Sequence, residues 1–139
     1  MRVFSLLLPA AFGFMVADAS AADEFDGARP FLCATVDISS CMLGRDCTRE
    51  STETVNAPSF FIVDVANKLV SEAGPAKTGR TSKIDRVEHQ SGQLMLSGVD
   101  GDQGWSVSIG EANGKLTFET IRDGEGTVAF GSCVSQSEQ

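Results

Sequence analysis

Apolar and polar positions alternate along most of this chain with a period of two, the repeat of a strand with one face buried. In residues 31–41, Leu32, Ala34, Val36 and Ile38 fall on one face and Cys33, Thr35 and Asp37 on the other. In residues 59–65, Phe61, Val63 and Val65 share a face, with Phe60 and Ile62 opposite, as in a strand covered on both sides. Trp105, Val107 and Ile109 alternate with Ser106, Ser108 and Gly110, and Leu116 and Phe118 carry the next strand. In residues 126–134, Val128 and Phe130 point one way, and Ala129, Gly131 and Cys133 the other. Weaker strands are predicted over 68–72, 82–90 and 93–99. Ile84 and Val87 differ in parity, which predicts a bulge between them.

Turn chemistry separates these runs: Ala66-Asn67, Ser91-Gly92, the stretch 100–104, Asn113-Gly114 and Asp123-Gly124. Residues 42–46, 48–57 and 73–81 read as loops, and no segment sustains a helical period. Short turns favour antiparallel neighbours. The pattern therefore predicts an all-β fold: a single antiparallel meander of about eight strands closing into a small barrel, lipocalin-like and up-and-down. The alternative is a two-sheet β-sandwich.

The cysteines favour closure. Four cysteines allow three pairings. Cys41 and Cys47 bracket a tight loop, whereas Cys33 begins the first strand and Cys133 ends the last. In a closed meander those two strands are antiparallel neighbours, so Cys33–Cys133 and Cys41–Cys47 are the expected links. Cys33 lies opposite Leu32 and Ala34, and Cys133 opposite Phe130. Both are therefore expected on the outer wall.

The first 21 residues follow a different pattern. Arg2, an apolar run over 3–17 and Ala19-Ser20-Ala21 have the form of a secretory signal peptide, cut after Ala21. The run is shorter than a membrane span. No cysteine lies at the cut, so no lipid anchor is expected. Export to the periplasm or the medium suits a disulfide-bearing chain. Removing residues 1–21 leaves about 118 of the 139, a single domain. Residues 22–30 read as a flexible lead-in, 31–135 as the barrel and 136–139 as a tail.

The net charge of −8 and the lack of a basic run speak against nucleic acid and anionic membranes as partners. A monomer is expected. Asp100, Asp102 and Glu111 have the spacing of a calcium loop, but Trp105 stands where such a loop needs glycine. A hairpin turn is the plainer account. His89, the only histidine, lacks a partner set for zinc. It is a candidate general base beside Glu88 or Asp85, and more simply an exposed strand residue. Arg80-Thr81-Ser82-Lys83 with Arg86 is a candidate anion grip or a charged edge. Gly104-Trp105 lacks the context of the lipocalin Gly-x-Trp signature, which belongs to a first strand. No metal constellation, nucleophile motif or phosphate loop is present, so no cofactor and no enzyme activity are expected.

Phe31-Leu32-Cys33-Ala34, the loop from Cys41 to Cys47, Asn56-Ala57-Pro58, Gly104-Trp105-Ser106 and Phe130-Gly131-Ser132-Cys133 resemble the pattern of a group of small exported bacterial proteins. That resemblance implies export and a compact cysteine-stapled β-fold, and no activity. The function expected from the residues is a binding module for a small apolar or amphipathic ligand. Trp105, Val107, Ile109, Leu116 and Phe118 would line its interior. The alternative is a protein-interaction role, such as inhibition of an exported protease, with residues 23–30 as the inserting arm.

Overall fold

The computed structural model describes residues 23–74 and 79–136. The expected signal peptide lies outside them. Ten strands run in chain order: β1 (Phe31–Met42), β2 (Thr48–Glu50), β3 (Phe60–Asp64), β4 (Leu69–Ala73), β5 (Thr81–Lys83), β6 (Arg86–Gln90), β7 (Gln93–Asp100), β8 (Gln103–Gly110), β9 (Lys115–Arg122) and β10 (Glu125–Ser135). They form one antiparallel sheet with the order β5-β4-β3-β1-β10-β9-β8-β7-β6, and β2 pairs with β1 beside this path. The fold is all-β and a single meander, and among the described residues no second sheet packs against it.

The two ends of that path, β5 and β6, are neighbours in sequence, separated only by Ile84 and Asp85. The Ile84 N–H donates to the Lys68 carbonyl, before β4, and the Asp85 N–H to the Ser97 carbonyl, on β7. One segment thus changes partner from β4 to β7 at a corner, and the sheet curls into a barrel-like shape. The parity break between Ile84 and Val87 has this physical meaning. Ile84 at the corner is fully buried.

The first and last strands are neighbours, with Cys33 directly opposite Cys133. The disulfides are Cys33–Cys133 and Cys41–Cys47. Their faces differ from expectation. Cys33 is 0% and Cys133 5% exposed, so this link lies inside the sheet and not on its outer wall. For Cys33 the cause is a bulge in β1, where the register to β10 shifts between Thr35 and Asp37; on β10 Ala129 and Cys133 are buried and Phe130 is exposed, so the row expected to face outward there faces inward. Val36 swings out, 76% exposed. Before it the odd residues Phe31 and Cys33 face the core, and after it the even residue Ile38 does. A single inward face for Leu32, Ala34, Val36 and Ile38 therefore holds only for Ile38. A bulge re-aims every side chain beyond it, because the strand period is two.

The other strands keep simple alternation. Phe61 and Val63 are buried while Phe60 is exposed, so β3 is covered on one side only. Trp105, Val107, Ile109, Leu94, Leu96 and Leu116 all point inward. Residues 48–57 are more ordered than a plain loop. Thr48–Glu50 pairs with β1, and Arg49 makes two hydrogen bonds to Asp37, of 2.8 and 2.5 Å. Those bonds hold the Asp37 carboxyl below the usual carboxylate range.

The lead-in also departs from expectation. Phe25 is buried and meets Phe31 edge to face at 5.6 Å. Its N–H donates to the Glu111 carbonyl at 3.0 Å, and Glu24 accepts from the Ser135 hydroxyl. Gly27 has φ +86°, and a Cβ there would lie 2.8 Å from Val65. Residues 24–27 therefore form a plug under one end of the barrel. Phe25 makes the difference: a large apolar side chain in a polar stretch gains more from burial than the ordering of a few residues costs.

Candidate functional site

The inward side chains change character along the barrel axis. At the plugged end Phe25, Phe31, Leu94, Ile109 and Leu116 fill the interior around Cys33 and Cys133. At the other end the inward positions are smaller or polar: Ser40 on β1, Thr127 and Ala129 on β10, Thr120 and Arg122 on β9. Small residues cannot fill the space between strands that larger ones hold apart. A cavity of about 620 Å³ results, open at this end.

Its apolar wall is made by Ile38, Phe61, Val70, Trp105, Val107 and Phe118. Phe61 and Phe118 lie 6.4 Å apart, with their rings tilted at 45°. Trp105 is placed by Gly98, its cross-strand partner on β7. A Cβ at Gly98 would come within 2.7 Å of the indole and 2.4 Å of the Lys83 carbonyl oxygen. Glycine is needed there so that the ring can lie against bare backbone. The indole Nε1 is buried and lacks a hydrogen-bond partner among the described residues. Such an orphan donor costs about 1–3 kcal/mol.

The segment 54–58 lines part of the cavity. Thr35 anchors its end, donating from its hydroxyl to the Pro58 carbonyl and from its N–H to the Ser59 carbonyl, both at 3.0 Å. Arg80 anchors its middle, with Nη1 2.8 Å from the Asn56 carbonyl oxygen. The same guanidinium reaches Glu72 at 3.5 Å. Across the mouth, Arg122 pairs with Glu125 at 3.1 Å. Asp100 accepts from the Ser82 hydroxyl and Glu50 from the Thr48 hydroxyl.

Of the five residues expected to line an interior, Trp105, Val107 and Phe118 border the cavity. Ile109 and Leu116 lie beyond it, in the filled half. Sequence reasoning missed Glu50, Glu72, Arg122 and the segment 54–58, and had Arg80 only as part of a charged patch. A signal was available. Along β9 the inward row runs Leu116, Phe118, Thr120, Arg122, and along β10 it runs Cys133, Gly131, Ala129, Thr127, Glu125. Both rows pass from apolar to polar toward the same end.

No family model, curated protein or solved structure matches this chain. The site is therefore judged on its own geometry.

The remaining candidates lie elsewhere. His89 pairs through Nδ1 with Glu111, and not with Glu88 or Asp85. Glu88 pairs with Arg86 at 2.6 Å, and Asp85 approaches Lys83 at 4.0 Å. Asp102 and Glu111 sit at opposite ends of the eight-residue β8, too far apart to share one ion. Among the described residues no group of three or more His, Cys, Asp or Glu is placed to hold a metal. The positive segment divides: Arg80 turns to the cavity mouth, while Lys83 and Arg86 remain on the exposed surface. The arm considered for protease inhibition carries the buried Phe25 and forms the plug.

Proposed function

We propose that this is an exported, non-enzymatic protein that holds a small amphipathic molecule in the open half of its barrel. The observation that carries this reading is the cavity of about 620 Å³ with an aromatic and aliphatic wall and a polar rim. Its size falls in the range of small-molecule sites, about 300–1,000 Å³. Eight-stranded barrels fill their interiors or hold one small ligand; one end of this barrel is filled, and the cavity at the other has room for such a ligand. Two disulfides, consistent with an oxidising compartment, support export together with the leader-like residues 1–21.

Native mass spectrometry of protein purified from its own compartment tests the reading. A co-purifying small molecule, with rebinding of a hydrophobic fluorescent probe that quenches or shifts Trp105 emission, is the expected result. Protein that carries no small molecule and leaves the emission of its single tryptophan unchanged across such probes would refute it.

A further inference from the structure

Of the strands of five residues or more, only β6 has a hydrogen-bonded neighbour on one side alone, among the described residues. At the other end of the sheet β5 is covered by β7: the Ser82 hydroxyl donates to Asp100, and the Lys83 carbonyl lies beside Gly98. Open edges are normally blunted by proline, lysine or a bulge. β6 carries none of these within its five residues, Arg-Val-Glu-His-Gln.

The turn after β6 decides which backbone groups face the open side. Ser91 and Gly92 have φ +52° and +75°, a two-residue loop closed by Gln90 opposite Gln93. The closing pair of such a loop is hydrogen-bonded, and bonding alternates from there. Gln90, Glu88 and Arg86 therefore bond to β7, while the N–H and C=O groups of Val87 and His89 point outward from the sheet edge. The side chains alternate too. Val87 packs against the core, and Arg86 and Glu88 lie on the outer face, 74% and 52% exposed and 2.6 Å apart.

This edge is complementary to itself. A two-fold axis at Val87 lets the two Val87 residues exchange both N–H···O bonds. It also sets Arg86 of each copy opposite Glu88 of the other, in the closer, non-hydrogen-bonded kind of pair. Four charges then alternate in sign around the axis. Centring on Glu88 would oppose two carboxylates with the wrong backbone groups, and centring on His89 would set Glu88 against the neutral Gln90. We infer that β6 is a homodimer edge, and that its partner is a second copy of this chain paired antiparallel about Val87. This interface uses no residue of the cavity, so it stands or falls apart from the binding role.

Sedimentation of the mature chain over a range of concentrations, at physiological salt, should show a reversible monomer–dimer equilibrium. Arg86→Glu and Glu88→Arg should each weaken self-association roughly tenfold or more, because like charges then face each other. An equimolar mixture of the two variants should recover the dimer, since every cross-pair is again of opposite sign. Val87→Pro removes only an outward N–H, which an edge strand tolerates, and should also leave a monomer. Circular dichroism checks that each variant keeps its fold. A wild-type chain that stays monomeric into the hundreds of micromolar, charge variants that dimerise as well as the wild type, or a mixture that fails to recover association would overturn the inference.

Discussion

Replacing Cys33 and Cys133 together with alanine should destabilise the protein far more than the same change at Cys41 and Cys47. The first link spans 100 residues and the second 6. Confining an unfolded chain over those lengths corresponds to about 4.7 and about 2 kcal/mol in the chain-entropy account. Burial widens the gap. Cys33 and Cys133 are 0% and 5% exposed, so truncating them leaves a void in the filled half, which adds about 1–2 kcal/mol. Cys47 is exposed and Cys41 half-buried, so their loss leaves little void. The long link is thus worth about 6 kcal/mol, against a total stability of about 5–15 kcal/mol for an ordinary domain. Urea unfolding followed by Trp105 emission and far-ultraviolet circular dichroism measures both variants. The variant without the long link should unfold at markedly lower urea and with a larger denaturant slope, because its unfolded chain exposes more surface. Equal losses for the two variants, or a greater loss for the Cys41/Cys47 pair, would refute the reasoning and show that strain or residual structure outweighs loop length.

Two further outcomes follow from the plug and from the Arg49–Asp37 pair that joins β2 to β1. Phe25→Ala should cost about 3–5 kcal/mol, read as a lower melting temperature, since its buried ring meets Phe31; an unchanged melt would show that the plug is dispensable. Arg49→Ala should raise the Asp37 carboxyl pKa toward its ordinary value, seen by NMR titration, because the Arg49 hydrogen bonds are the main cause of its depression. The sign is that of a depressed carboxylate. The pair helps the fold above the ordinary carboxylate range, and the help is lost as pH falls through the lowered value. An Asp37 titration identical in both proteins would contradict this.

The amino-acid pattern alone determined the antiparallel meander, its turns and its inward rows on β3, β8 and β9. These depend on local alternation and turn residues, which neighbouring positions encode. It also made the long disulfide legible, because closing a meander brings its two ends together. The bulge at Val36 lay beyond the pattern: whether β1 slips a residue is settled by what β10 presents opposite, and that slip put Cys33 inside. The burial of Phe25 likewise required the far end of the barrel as a partner. The cavity is the most collective feature. It exists because small side chains from β1, β9 and β10 fall at one height along the axis while bulky ones gather at the other. No single strand carries that information; strand register does, and register is a property of the assembled sheet.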